Sequence, residues 1–160
     1  LGIDNAVQNK FAWKEKRFIT KAKYEKLRRY TVYPRDVIVT IMATIGRSSV
    51  IPDDIPLAIN TKHLATLTLD SSKANPYFIS YSLHSDPQIK KQIQLKNIGA
   101  IMPGLNLGII KTLKIKTPPI ALQKSFEKIY HQVQLIKQKM FNQFEEFESQ
   151  FQVLMQKSFQ

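Results

Sequence analysis

A stripe of apolar side chains runs along the last quarter of the chain. Most positions between its members hold Lys, Gln, Glu or Ser, and neither Gly nor Pro occurs after Pro119. The members follow one another at spacings of three or four: Leu122, Phe126, Ile129, Val133, Ile136, Met140, Phe144, Phe147, Phe151 and Leu154. This spacing places all of them on one face of a helix. The sequence therefore predicts one helix from Pro119 to the end, about 60 Å long at about 1.5 Å per residue.

A stripe this long and narrow predicts a partner helix. The double step of four from Ile136 through Met140 to Phe144 is a stutter, at which a left-handed supercoil locally unwinds. A helix folded back on its own domain is usually shorter and apolar over a wider arc. A membrane-surface helix carries Lys and Arg along its polar face, whereas residues 119–160 hold five Lys and four Glu. We interpret the helix as half of a helical pair whose other half lies on another chain or elsewhere in the protein.

The positive charge belongs to the part of the chain before the helix. The total is +12, from 24 Lys and Arg against 12 Asp and Glu. Residues 119–160 contribute 5 − 4 = +1, so residues 1–118 contribute 19 − 8 = +11. The charge is densest from Lys10 to Arg29, where nine basic residues face only Glu15 and Glu25. A basic domain on a nearly neutral helix is typical of a polyanion binder held on a spacer; a solvated lysine-rich surface is the alternative.

Length and composition set the remaining bounds. The 160 residues suit one domain with an appendage. The absence of Cys excludes disulfides and thiolate metal sites, and it fits a reducing cytoplasm. No stretch approaches the roughly 20 apolar residues that span a bilayer. Because Leu1 stands where an initiator Met is expected, we expect an excised or truncated piece.

The segment before the helix mixes predicted strands and helices. Thr20 is a predicted N-cap for a short helix over residues 21–30. The run from Val37 to Met42 predicts a buried central strand. Further predicted strands cover 48–51, 57–59, 63–69 and 112–116, and predicted helices cover 75–84, 86–96 and 105–110, with a loop over 99–104. Without a strict alternation of strand and helix, the predicted fold class is α+β.

Two fragments imitate catalytic motifs without completing them. Residues 75–78 resemble the Asn-Pro-Pro-Tyr/Phe loop of amino-methyltransferases, but one Pro is missing, and Asn75 as an N-cap before Pro76 explains the fragment. Pro52-Asp53 followed by residues 60–62 resembles a metal-dependent nuclease pattern, but Asn60 replaces the second acid that a divalent metal needs. The histidines show no ligand spacing, and no phosphate-binding loop is present. We therefore expect no active site, no metal and no cofactor.

Several segments carry signals of nucleic-acid binding. An aromatic side chain stands among basic ones near residue 13, a basic side chain follows the Gly46 turn, and hydrogen-bonding side chains gather near residues 60 and 96. Lys and Arg neutralise phosphates, and Arg, Lys and Asn also read purine edges. The predicted DNA-binding residues are Lys14, Lys16, Arg17, Arg47, Asn60, Lys62, His63, Lys96 and Asn97, with Lys90 and Lys91 on the same predicted helix as Lys96.

The order of several blocks resembles the target recognition domain of type I restriction–modification specificity subunits. The blocks are Tyr33-Pro34-Arg35-Asp36 with residues 37–40, Thr44-Ile45-Gly46-Arg47, Leu57-Ala58-Ile59-Asn60 and Asn75-Pro76-Tyr77-Phe78. The ending is also similar, from residues 104–107 and 113–115 through Pro118-Pro119 and Leu122-Gln123 into a long helix that closes with residues 154–159. The chain departs from the family at Arg35 and Ala43, two turn positions where Gly is common.

The resemblance implies a non-catalytic protein that reads DNA. Such subunits carry two recognition domains, each reading half of a split site, separated by two long helices that pair antiparallel. Methyltransferase subunits dock on them, and an ATP-driven nuclease subunit joins the complex. This chain would be recognition domain 1–118 with spacer helix 119–160, about half a subunit, lacking the beginning of its domain. The helix-pairing residues would be Phe126, Ile129, Val133, Ile136, Met140, Phe144, Phe147, Phe151 and Leu154.

Two hypotheses from other classes stay open at this point. One is a coiled-coil adaptor whose basic domain binds RNA or an acidic protein. The other is a degenerate metal nuclease around Asp53, Asp54 and Lys62, for which we expect no cleavage of plasmid with magnesium.

Overall fold

The computed structural model describes residues 1–7, 9–42, 45–97 and 104–159. The chain divides into two compact units, Leu1–Lys124 and Ser125–Gln160. The fold is α+β, as predicted. In chain order its strands and helices are β1 (Ala6–Val7), β2 (Lys10–Phe11), α1 (Lys21–Leu27), β3 (Thr31–Val32), β4 (Val37–Thr40), β5 (Ser48–Val50), β6 (Ala58–Ile59), β7 (Leu64–Leu67), α2 (Pro76–Ser85), α3 (Pro87–Leu95), α4 (Leu107–Thr112) and α5 (Ile120–Ser158). Short 3-10 turns cover Ile3–Asn5 and Arg28–Tyr30.

The predicted central strand is confirmed. β4 lies between β5 and β7 in a three-stranded antiparallel sheet, with Val37 opposite both Val50 and Leu67. Val37 and Val39 belong to the core cluster that includes Ile79, Leu83 and Ile89 of the helices, whereas Ile38 belongs to a second cluster. Successive side chains of a strand point to opposite faces, so β4 is buried on both faces. This explains its unbroken apolar sequence.

Side-chain N-caps stabilise the beginnings of three predicted helices, α1, α2 and α3. The hydroxyl of Thr20 accepts from the Lys23 amide at 3.3 Å, and the side chain of Asn75 accepts from the Tyr77 and Phe78 amides. Asp86 ends α2 and caps α3, accepting from the Gln88 amide at 2.8 Å. Pro76 and Pro87 occupy first helical positions. An N–H at such a position has no partner within the helix, so its absence in proline costs no hydrogen bond.

The predicted strand over residues 112–116 is wrong. Thr112 ends α4, and residues 113–119 carry no regular structure. The side chain of Gln92 takes the place of a strand partner, because it accepts from the Lys114 amide at 2.9 Å and donates to the Lys114 carbonyl at 3.0 Å. Three short strands were not predicted: β1 and β2, which pair with each other, and β3, which pairs with β6. The predicted helix at 105–110 lies two residues later, and most of the predicted loop 99–104 falls outside the described residues.

A small polar cluster joins distant parts of the first unit. The Ser48 hydroxyl donates to the Ser80 carbonyl at 2.7 Å, and the Ser80 hydroxyl donates to Oδ1 of Asn9 at 2.7 Å. All three residues are buried. Buried polar groups are costly unless they are hydrogen-bonded, so this cluster stabilises one specific arrangement of β5, α2 and Asn9, the residue before β2.

A buried glutamine fixes the first turn of α5 within the first unit. Gln123 is 1% exposed, and its Oε1 accepts from the Asn75 amide at 2.9 Å. Its Nε2 donates to the carbonyls of Pro118 at 2.7 Å and Lys73 at 3.2 Å. The long helix that the apolar stripe predicted is confirmed over 39 residues. None of the helices among the described residues is long and apolar enough to cross a membrane.

Candidate nucleic-acid interface and pairing helix

The backbone before β5 is fixed so that the Arg47 side chain stays at the surface. The Arg47 amide donates to Thr40 Oγ1 at 3.0 Å, and the Thr40 amide donates to the Arg47 carbonyl at 2.8 Å. Gly46 turns the chain at φ 79°, in the left-handed region that favours glycine. The Arg47 side chain is exposed. The predicted Gly46 turn is therefore present, and it presents a guanidinium from a rigid base.

Arg47 lies at a cavity of about 540 Å³ whose charged lining is basic. The lining comprises Ile45, Gly46, Arg47, Leu83, His84, Lys90, Ile93, Gln94 and Asn97. We call this surface the Arg47–Lys90 cavity. The pKa of His84 is lowered, first by burial and then by the charges of Lys90 and Arg47. No acidic side chain is among the lining residues, so the cavity suits an anion such as a phosphate.

The junction between α2 and α3 places His84 and Lys90 at the same cavity. His84 lies in the last turn of α2 and Lys90 in the first half of α3, with the Asp86-Pro87 cap between them. Sequence reasoning considered His84 only as a metal ligand and missed its place in this cavity. The signal that could have found it is the pair of basic groups on either side of an Asp-Pro helix start.

The predicted residues at the end of α3 have different surroundings. Lys96 is exposed. Asn97 is partly buried, and its side chain donates to the Ile93 carbonyl at 2.8 Å and accepts from the Gly104 amide at 2.8 Å. Asn97 therefore connects α3 to the segment before α4, while it also lines the Arg47–Lys90 cavity.

Of the predicted residues before α1, two are exposed lysines and one is an ion-paired arginine. Lys14 and Lys16 are exposed, with the Lys16 ammonium 5.9 Å from the Trp13 ring centroid. Arg17 binds Asp4 at 3.0 Å and Glu15 at 2.8 Å. Two carboxylates on one guanidinium give these three side chains a formal charge of 1 − 2 = −1, so they offer DNA no net positive charge.

The predicted residues between β6 and β7 also divide into exposed and internally bonded ones. Lys62 is exposed and His63 is partly buried. Asn60 uses its Nδ2 within the fold, donating to the Leu64 carbonyl and to Thr66 Oγ1, each at 3.0 Å. Its Oδ1 is buried without a hydrogen-bond partner. Asn60 lies with Lys16 and Arg17 at a second cavity rather than with Arg47.

The described residues contain no group of three His, Asp or Glu side chains arranged to hold a metal ion. Asp53 and Asp54 are exposed in a turn closed by the Ile55 amide and the Pro52 carbonyl at 3.3 Å.

The apolar stripe of α5 is largely exposed in the single chain. Phe126 is partly buried. The other nine members have exposed fractions between 40% for Val133 and 68% for Phe147. Isolated apolar residues are normal at a surface, but a continuous row is typical of an interaction site.

Comparison with known proteins supports the fold of the chain. No protein-family model and no curated protein matches the sequence. A chain in a solved structure, described as the basis of complex assembly and conformational transition of the type I R-M system, matches with a TM-score of 0.54 and 19% identity. The match covers 68% of this chain and 29% of that chain, so this chain spans less than a third of its length. At this identity the likeness shows a shared fold, and it confirms at that level the resemblance seen in the sequence.

Proposed function

We propose that this chain is a DNA-recognition component of a type I restriction–modification complex. It corresponds to a specificity subunit or half of one, with residues 1–118 reading one half of a split DNA target and residues 119–160 forming the spacer helix. The observation that carries the proposal is the Arg47–Lys90 cavity, where Arg47, Lys90 and His84 lie together and no acidic side chain is among the lining residues. The fold shared with a chain of a type I R-M structure supports it.

The component acts by binding, in the cytoplasm, and catalyses no reaction of its own. Exposed Lys14, Lys16, Lys62 and Lys96 contribute phosphate contacts around the duplex. Arg47, held by its backbone at the end of a buried strand, is the residue best placed to read a base edge. Methyltransferase subunits dock on the chain, and the nuclease subunit joins through the complex. The α5 stripe pairs antiparallel with the helix of a second recognition domain or a second copy.

Salt dependence tests the role of the Arg47–Lys90 cavity. We expect the affinity of the full chain for a duplex of random sequence to fall steeply with salt, because phosphate contacts release counterions. The Arg47→Ala/Lys90→Ala variant should bind about tenfold more weakly, with a logarithmic salt slope smaller by about two. Fluorescence anisotropy over a salt series measures both quantities.

The matched control is Lys111→Ala/Lys116→Ala, which removes the same charge from exposed positions outside the cavity. An equal loss in both variants would show that only total charge matters.

Selection of bound duplexes from a random pool, with the methyltransferase partner present, should return a preferred half-site. The Arg47→Ala variant should show a weaker preference for that half-site.

The cavity also predicts a pH effect on DNA binding. The pKa of free His84 lies below its ordinary value, and a bound phosphate would raise it by favouring the imidazolium. Binding therefore takes up protons, and affinity should rise as pH falls through the range below about 6.5. His84→Gln should remove this rise, whereas His131→Gln should keep it. If the duplex affinity of His84→Gln depended on pH as that of the unmodified chain does, phosphate binding at this cavity would be refuted.

A further inference from the structure

A second cavity, of about 610 Å³, lies between the segment before α1 and the turn that leads into β6. We call it the Trp13–Leu57 groove. Its apolar wall includes Trp13, Ile19 and Leu57, which are 44%, 42% and 73% exposed. Tyr24 of α1 and Pro56 complete that wall. A concave apolar surface with this much exposed area fits an inserted side chain.

The free charges at the rim of the groove are positive. Lys16 and Lys21 line it, and exposed Lys14 lies next to Trp13 in sequence. In the part of the chain that the structure describes, none of these lysines makes an ion pair. The acidic residue of the lining, Glu15, is already bound to Arg17 at 2.8 Å. The groove is therefore complementary to a ligand with carboxylates on both sides of an apolar group.

The lining favours a polypeptide over unpaired nucleotides. Bases bind by stacking on open aromatic faces arranged in succession. Trp13 already packs edge-on with Phe11 at 5.2 Å and has the Lys16 ammonium over its ring. Phe18 is 87% exposed and Trp13 is 44% exposed, and the rest of the apolar lining is mainly aliphatic.

We propose that the Trp13–Leu57 groove binds an extended acidic segment of a partner protein. A large apolar side chain of that segment inserts against Ile19 and Leu57, and flanking Asp or Glu residues meet Lys14, Lys16 and Lys21. This interaction goes beyond the DNA-reading function and is centred on a different cavity from the Arg47–Lys90 cavity, although it shares Lys14 and Lys16 with the proposed phosphate contacts.

The test uses the full chain and a fluorescein-labelled synthetic peptide in which Leu-Phe is flanked on both sides by glutamates. Replacing Leu-Phe with Ser-Ser should weaken binding at least about tenfold, because the apolar anchor is lost. Leu57→Ser should cause a similar loss, whereas Leu95→Ser, at a leucine outside the groove that is 57% exposed, should have no effect. Lys21→Glu should weaken binding more than Lys111→Glu does.

Two results would overturn the proposal. One is equal binding of the Leu-Phe and Ser-Ser peptides, or of the chain and its Leu57→Ser variant. The other is a Leu57→Ser variant that binds a single-stranded oligonucleotide more weakly but binds the peptide as the unmodified chain does. Nucleic acid would then be the occupant of the groove. Failure here is separable from failure of the DNA proposal, because Leu57→Ser should leave duplex affinity unchanged and Arg47→Ala/Lys90→Ala should leave peptide affinity unchanged.

Discussion

In sedimentation velocity, the full chain should form a dimer whose proportion rises with concentration, and the Met140→Glu/Phe144→Glu variant should remain a monomer. Met140 and Phe144 lie at the middle of the exposed stripe, 64% and 57% exposed. Burying a large apolar side chain contributes up to about 1.5–3 kcal/mol, and nine such residues line the helix. A carboxylate in the closed seam loses this contribution and costs several kcal/mol more through desolvation. Two of them should weaken association by far more than about a hundredfold.

The control for this variant adds the same charge to the opposite face of α5. At about 100° per residue, Gln138 and Ser149 face away from the stripe, and both are exposed. Gln138→Glu/Ser149→Glu should therefore dimerise like the unmodified chain. If both variants stayed dimeric, the stripe would not be the pairing surface. The methyltransferase partner should also co-purify less with the Met140→Glu/Phe144→Glu chain.

Gln123→Leu should lower the free energy of unfolding of the first unit by about 2–4 kcal/mol. The substitution keeps the volume of the side chain but leaves the buried Asn75 amide, the Pro118 carbonyl and the Lys73 carbonyl without their partner. Each unsatisfied buried group costs about 1–3 kcal/mol. Leucine recovers part of this loss because the position is only 1% exposed.

Urea unfolding followed by the fluorescence of Trp13, the single tryptophan, reports on this unit. The midpoint should fall without a change in m. Gln132→Leu, at an exposed position of the same helix, is the matched control and should unfold like the original chain. An unchanged midpoint in Gln123→Leu would mean that the three hydrogen bonds contribute nothing net.

The parts of the fold that sequence could predict are those determined by local chemistry. Thr20, Asn75 and Asp86 each begin a helix through a bond to an amide two or three residues away. β3 could not be predicted in the same way, because a two-residue strand has no period and depends on a partner far away in sequence, here Ile59 of β6 opposite Thr31.

In the candidate site, too, the residues set by local chemistry could be predicted, and those that depend on distant parts of the chain could not. Arg47 was predictable because a turn at Gly46 follows a buried strand. Its companions His84 and Lys90 required the packing of α2 against α3, which sequence spacing does not encode. Arg17 was predicted to bind DNA, and its ion pair with Asp4, thirteen residues earlier, could not be seen in the sequence. The prediction that these residues contact DNA awaits the binding experiments above.

The polar cluster of Asn9, Ser48 and Ser80 has a consequence for how Arg47 is aimed. A slip of β5 by one residue against β4 would move Arg47 by about 3.4 Å and turn Ser48 to the other face of the sheet. Ser80 would then lose the hydroxyl that donates to its carbonyl. Two serines and an asparagine thus select the alignment of a strand, and through it the direction in which the adjacent guanidinium points.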